Sequence, residues 1–306
     1  MSVNQTEVVK SGSPNRQPNI KIVTDSAADL PAEEIAVYGI EIAPLSIHFP
    51  EGEVRSNEIT PDEFYNRLRA MVPKVPTTSQ PSAGFFTSLY QKIATAGDEI
   101  VSVHISSGLS GTLEAARLGA ERVRDILITP VDSLTLSGGQ RFQVLAAAMA
   151  ARAGWTIQAI QERLEQIQAQ TEVIYTLETL DYLARGGRIG RVQAIAGSLL
   201  HLKPIISVDK QDGKYNSIGK ERTLKKAMKK IVDQLVNQYG FETSLWVTVL
   251  HGQFQEQAEL LAEQIRERLS VSRLEILRIS PVLGVHTGPG IVGAAVLPMR
   301  VMEGID

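Results

Sequence analysis

Short apolar segments alternate with longer helical patterns along this chain from Ile20 onwards. Such an alternation is typical of βαβ units, in which helices connect the strands of a largely parallel sheet. Strands are predicted at Ile20–Thr24, Ile40–Ile47, Ile100–Ile105 and Ile126–Val131. Helices are predicted at Pro31–Tyr38, Pro61–Ala70, Ser82–Ala94, Leu109–Val123 and Gly139–Arg152. We therefore expect the first half to form a three-layer α/β/α domain around a parallel sheet.

The second half also predicts an α/β arrangement, but with a hairpin in it. The segment KQDGKY at 210–215 resembles a tight turn between two strands, which makes this sheet mixed. A chain of 306 residues with 43% hydrophobic content is too long for one small domain. We expect a disordered tail at 1–18, an N-terminal α/β domain at 19–160 and a smaller C-terminal α/β domain at 161–306. The strands predicted in the second half are Val173–Leu177, Ile205–Val208, Tyr215–Ile218, Leu245–Leu250, Leu274–Ile279 and Ile291–Leu297.

Charge and cysteine content exclude several classes of function. The net charge is -3, from 31 Lys+Arg and 34 Asp+Glu, so no basic footprint indicates nucleic-acid binding. The absence of cysteine excludes disulfides, thiolate nucleophiles and iron–sulfur clusters. No uncharged apolar run reaches the roughly 18 residues of a membrane span, and the first residues do not resemble a signal peptide. We expect a soluble, cytoplasmic protein.

Hydroxyl and acidic side chains follow several predicted strands of the first half. Thr24-Asp25-Ser26 and Asp132-Ser133 do so, and the richest such loop is Ser106–Thr112. Ligands of open α/β sheets bind at these carboxyl ends, and a glycine-rich helix start suits an anion. Thr77 and Thr78 belong to a second hydroxyl-rich segment that lies between two prolines. Each loop alone could merely cap the next helix, but several together predict an anion site.

The second half contributes two glycine-rich segments with polar side chains. The first, 185–191, surrounds Arg188 with glycines and two further arginines. The second, 284–290, contains His286, and we expect this turn to expose the imidazole.

Several catalytic motifs fail in their context. Residues 288–293 match G-x-G-x-x-G but lead into an apolar strand instead of a helix. No P-loop, G-x-S-x-G elbow or metal-ligand spacing of histidines is present. We predict no catalytic residue, no metal site and no cofactor. Two alternatives stay open: an enzyme acting on a phosphorylated small molecule such as a sugar phosphate, with Ser106–Thr112 around the phosphate, and a docking protein that uses the basic face of the predicted helix Glu221–Val236.

Six segments in this order resemble the DegV family of fatty-acid-binding proteins, over Ile20 to about Leu297. They are Val23–Ser26 with Asp29-Leu30-Pro31, Thr77–Ser82, Ser106–Thr112, Val131-Asp132-Ser133, Gly186–Ile189 and His286–Gly290.

The resemblance implies a two-domain DegV-like fold that binds a single long-chain fatty acid between its domains. The carboxylate would be held by Thr78 and Ser107, with Arg188 and His286 completing its surroundings. Proteins similar to this one present the acid to a fatty-acid kinase and catalyse nothing themselves, so a kinase is a possible partner. The ligand-binding residues implied are Thr77, Thr78, Ser106, Ser107, Gly108, Arg188 and His286.

Overall fold

The secondary structure follows the predicted alternation closely. We describe it from a computed structural model, which describes residues 19–193 and 202–305; the predicted tail at 1–18 lies outside the described residues. The strands are β1 Ile20–Asp25, β2 Glu41–Ala43, β3 Ser46–Phe49, β4 Gly52–Arg55, β5 Thr77–Ser79, β6 Glu99–His104, β7 Leu127–Asp132, β8 Glu172–Leu177, β9 Lys203–Val208, β10 Tyr215–Glu221, β11 Leu245–His251, β12 Val271–Arg278 and β13 Ile291–Pro298. The helices are α1 Ala32–Tyr38, α2 Pro61–Ala70, α3 Ala83–Ile93, α4 Thr112–Ala120, α5 Ser137–Arg152, α6 Ile157–Gln170, α7 Asp181–Arg185, α8 Leu224–Tyr239, α9 Gln255–Arg268 and α10 Pro281–Thr287.

Two main sheets confirm the expected fold class. The first is parallel, in the order β2-β1-β6-β7. The second is mixed, in the order β10-β9-β8-β13-β11-β12, and only its β11–β12 pair is parallel. With six strands against four, the second sheet is the wider, although we expected the second half to be the smaller.

The strand predicted at Ile40–Ile47 is wrong, because the chain there forms two strands in different sheets. Pro44 lies between β2 and β3, and proline cannot donate the backbone hydrogen bond that a continuous strand needs. After the break, β3 pairs with β4 and β5 in a small antiparallel sheet. This sheet gives the segment around Thr78 a fixed register.

Helix α5 joins the two main sheets into one hydrophobic core. It packs against β1 and β6 on one side and against β8 and β13 on the other, and it is buried along most of its length. A helix that is apolar around most of its circumference belongs in such an interior position. The two halves therefore share a core, and the predicted domain boundary between residues 160 and 161 falls inside α6; where the boundary lies stays a prediction.

Arg141 is a fully buried arginine of this shared core. Its side chain is 1% exposed. The guanidinium donates to Glu34 Oε2 at 2.8 Å, to Glu275 Oε1 at 2.8 Å and to Thr248 Oγ1 at 3.0 Å. Burial opposes the charge, but the two carboxylates more than offset it and raise the pKa of Arg141. The residue thus connects α1, α5 and the second sheet through charge-assisted hydrogen bonds.

None of the helices in the described part of the chain is long and apolar enough to cross a membrane.

Removing the Arg141 charge should destabilise the protein far more than removing that of Arg273. Arg273 faces the same two glutamates at 3.6 Å and 3.4 Å, but its side chain is 51% exposed. We expect Arg141→Met to lower the free energy of unfolding by about 3–5 kcal/mol, because it removes the buried partner of two largely buried carboxylates and leaves them only the exposed Arg273. Arg273→Met should cost about 1 kcal/mol. Urea unfolding of both variants measures the difference, and equal losses would contradict the role given to Arg141.

Candidate functional site

A hydrogen bond between Thr78 and His286 joins the small antiparallel sheet to the second half of the chain. Helix α10 packs against β3 and β5, with Val285 buried in a cluster that also contains Ile47 and Phe64. This packing holds His286 Nε2 at 2.8 Å from Thr78 Oγ1. Two residues 208 positions apart, both predicted as ligand-binding, therefore meet.

The expectation of an exposed imidazole is wrong. His286 is 9% exposed, because it belongs to the last turn of α10 and not to a loop. Pro281 begins this helix, and Gly288 ends it with a left-handed φ of 74°. Of the glycines that suggested an open turn, Gly284 lies within the helix, and only Gly288 and Gly290 follow the histidine.

Burial and a neighbouring cation keep His286 neutral at pH 7. Burial lowers its pKa to about 4, and the charge of Arg188 adds to this effect. Its second ring nitrogen, Nδ1, has no hydrogen-bond partner among the described residues. Gly186 lies against that atom so closely that a Cβ at this position would come within 2.2 Å of it.

Arg188 is fixed beside this histidine by the backbone of its own segment. Its Nη1 donates to the Gly186 carbonyl oxygen at 2.8 Å, and the side chain is half-buried. Four residues thus form one group, which we call the head-group cluster: Thr78, Gly186, Arg188 and His286.

Thr77 is placed differently from its neighbour. Successive side chains of a strand point to opposite faces, and since Thr78 meets His286, Thr77 faces away from the cluster and is exposed.

The Ser106–Gly108 loop forms a second group. Ser106 is buried, and its hydroxyl accepts the amide of Gly108 at 3.1 Å. Ser107 is exposed, and its amide donates to Asp132 Oδ1 at 3.2 Å. The Ser107 hydroxyl has no hydrogen bond to any described residue. It is free to donate to a ligand.

The same loop is poorly suited to surround a phosphate. The amides of Leu109 and Ser110 donate to the Ser106 carbonyl, and that of Thr112 donates to Ser110 Oγ. Most amides of the loop, from Ser107 to Ser110 and at Thr112, are therefore occupied and do not point at a ligand. This geometry does not favour the phosphorylated-substrate alternative.

The turn between β9 and β10 links the two groups. A Cβ on Gly213 would lie 1.8 Å from Ser106 Oγ, so this turn packs directly on the serine loop. Arg191, which follows the head-group cluster in sequence, forms ion pairs with Asp209 and Asp212 of the same turn. The turn thus sets the position of the Ser106–Gly108 loop relative to the head-group cluster. Within the described residues, the loop and the cluster share no hydrogen bond. Sequence reasoning recognised the turn but not this contact.

A small apolar cavity lies against α10. Its volume is about 20 Å³, and it lies between α5, α10 and the second sheet, with Tyr175, Leu250, Leu283, Thr287 and Ile291 in its wall. Thr287 directly follows His286 in α10. Tyr175 packs edge-to-face on Tyr215 at 5.8 Å, and the charge of Arg188 acts on Tyr215, whose pKa burial raises to about 12. Neither tyrosine was singled out from the sequence.

A buried Asp–His–Ser chain lies elsewhere in the first sheet. His104 Nδ1 lies 3.0 Å from Asp25 Oδ2, and its Nε2 lies 2.7 Å from Ser102 Oγ. The hydroxyl of Ser102 is in turn 2.9 Å from that of Tyr90, and Asp25, Ser102 and His104 are each 0% exposed. A nucleophile needs access to its substrate, so we interpret this chain as structural. Asp25 faces inward, where it also accepts the amides of Ala27 and Ile105.

Comparison with known proteins identifies the family. The DegV family model, described as an uncharacterised protein family, matches residues 19–299. The chain belongs to the DegV family. A DegV domain-containing protein of Deinococcus radiodurans is 37% identical over 284 residues, which cover 92% of this chain and 96% of the relative.

Solved structures of DegV proteins match the fold over nearly their whole length. One from Thermus thermophilus, described as a fatty-acid-binding DegV family protein, superposes with a TM-score of 0.84 at 31% identity and covers 92% of this chain and 99% of its own. A stearic acid-binding protein from Eubacterium ventriosum superposes with a TM-score of 0.83 at 27% identity, over 91% and 98% of the two chains.

The low pKa of His286 predicts how stability depends on pH. Folding lowers this pKa from 6.5 to about 4, so the unfolded chain binds the proton more readily between these values. The contribution of neutral His286 to the free energy of unfolding is fully present above pH 6.5. It is lost as the pH falls towards 4, at roughly 1.4 kcal/mol per pH unit. Urea unfolding across this range should show that the free energy of unfolding of the wild type falls with pH, and that it falls less in His286→Gln. Identical pH profiles, or an NMR titration of the His286 ring near 6.5, would contradict the assignment.

Proposed function

We propose that this DegV protein binds one long-chain fatty acid between its two halves, with the carboxylate at Thr78 and Ser107 and the acyl chain in the narrow apolar cavity, whose walls would move apart to admit it. The observation that carries the proposal is the head-group cluster itself, whose His286 directly precedes Thr287 in the wall of that cavity. A polar group beside an enclosed apolar space matches a ligand with one polar end. The fatty-acid-binding and stearic acid-binding relatives support the same ligand class.

The carboxylate would be held by hydroxyl donors. With His286 neutral and its Nε2–H donating to Thr78 Oγ1, the Thr78 hydroxyl keeps its own hydrogen free for the ligand. The unoccupied Ser107 hydroxyl would supply a second donor. A carboxylate removed from water requires such donors on its lone pairs. Arg188 would attract the anion without forming a direct ion pair.

The acyl chain would supply most of the binding free energy. Burial is worth about 0.8 kcal/mol per methylene, so roughly 14 methylenes give an upper bound of about 11 kcal/mol. The costs of association and of ordering the chain reduce that figure.

We further propose that the protein is a cytoplasmic carrier that presents the acid to a fatty-acid kinase, needs no cofactor and catalyses no reaction itself. Ser107 is exposed and Arg188 half-buried, so a carboxylate between them would be open to a partner. In the kinase reaction a carboxylate oxygen would bond to the γ-phosphorus of ATP as the bond to ADP breaks. Arg188 could then stabilise the negative charge of the transferred group.

Substituting Thr78 tests the head-group site against a matched neighbour. Thr78→Val removes the hydroxyl but keeps the shape of the side chain, and we expect stearic acid to bind about tenfold more weakly, a loss of about 1.4 kcal/mol. Thr77→Val makes the same change on the other face of β5 and should bind like the wild type. Native mass spectrometry of delipidated protein with added stearic acid measures both.

Two results would overturn the proposal. Equal affinity in both threonine variants, with Ser107→Ala also unchanged, would exclude the assigned carboxylate site. Thermal stabilisation by phosphate esters, without uptake of any fatty acid, would favour an enzyme of phosphorylated small molecules.

A further inference from the structure

The far side of the apolar cavity is closed by a polar group. Ser137 and Ile279 lie in the cavity wall, whereas Asp29 and Ser280 lie in the wall of an open cleft on the other side. Ser137 Oγ donates to Asp29 Oδ2, and the Ser280 amide donates to Asp29 Oδ1 at 2.8 Å. We call Asp29, Ser137 and Ser280 the polar partition, because their hydrogen bonds separate the two spaces.

The cleft beyond the partition is itself largely apolar. Its volume is about 660 Å³, and it is open to solvent. Its apolar wall includes Leu30, Ile35, Ile42, Ile59 and Leu277. Such a surface suits the methyl end of an acyl chain that continues past the cavity.

The partition is costly to maintain, which argues against a role in packing alone. Asp29 and Ser137 have left-handed φ angles of 51° and 54°, which residues other than glycine rarely adopt. Burial raises the pKa of Asp29 to about 6, although hydrogen bonds from Ser137 and Ser280 oppose that effect. Strained backbone and buried polar groups together are typical of functional positions.

We propose that the polar partition sets the longest acyl chain that the cavity accepts, and that longer chains enter only when its hydrogen bonds break and join the cavity to the cleft. This inference rests on the proposed fatty-acid binding. A chain that ends on the Ser137 side of the partition leaves the Asp29 hydrogen bonds intact. A longer chain must push methylenes against the Asp29 carboxyl group and break its hydrogen bonds with Ser137 and Ser280. Each further carbon therefore adds little binding free energy until the chain reaches the cleft.

Glycine substitutions test the partition because glycine tolerates the left-handed backbone at these positions. Asp29→Gly removes the carboxyl group, and Ser137→Gly removes one of its donors, so either variant can carry the test if the other fails to fold. Asp125→Gly is a matched control: Asp125 also has a left-handed φ, of 69°, but is exposed and does not line the cavity or the cleft.

The readout is the competition between a chain that fits and one that is too long. Each delipidated full-length protein is mixed with equal amounts of stearic and lignoceric acid, and native mass spectrometry gives the ratio of the two complexes. We expect the ratio of lignoceric to stearic complex to rise about tenfold in Asp29→Gly and in Ser137→Gly, and to stay unchanged in Asp125→Gly.

The two proposals fail in different ways. An unchanged ratio in the folded partition variants, with stearic acid still bound, would overturn the partition but leave fatty-acid binding intact. Uptake of neither acid by the wild type would overturn the proposed function and the partition with it.

Discussion

The burial of α5 between the two main sheets is the constraint on which the rest of the structure depends. A helix enclosed on both sides fixes the distance between the sheets, and Arg141 adds hydrogen bonds that specify how α1 and the second sheet approach it. The first residue of the helix, Ser137, then lies between Asp29 and the apolar cavity. The cavity exists because the helix keeps the sheets apart, and its far wall is made by the start of the same helix.

The head-group cluster depends on this arrangement indirectly. Helix α10 belongs to the second half of the chain, yet it packs on the small antiparallel sheet of the first half. The contact takes His286 out of water, and the desolvated, neutral imidazole then orients the Thr78 hydroxyl. A short helix thus converts tertiary packing into a neutral imidazole beside Thr78.

Much of the fold was predictable because its signals are local. Helix α2 begins and ends at the predicted residues, with Thr60 capping the amide of Glu63. The break at Pro44 was equally local and was overlooked. The burial of His286 was not predictable from its glycine-rich surroundings, because it results from contacts with β3 and β5, far away in sequence.

Part of the candidate site was likewise predictable from the sequence, and part was not. The hydroxyl loops were recognisable from residue type and order, and Thr78 and His286 do meet. The polar partition left no signal, because nothing in the residue types of Asp29 and Ser137 reveals a left-handed backbone or a cavity beside them. Its Asp29 was noticed only within a family motif.

The most direct measurement of the central claim is a crystal structure with a fatty acid brominated at its methyl end, located by anomalous scattering. We predict the carboxylate within hydrogen-bonding distance of Thr78 Oγ1 and the bromine inside the cavity, on the Ser137 side of the partition. A carboxylate located anywhere else, or a bromine beside the head-group cluster, would contradict the account.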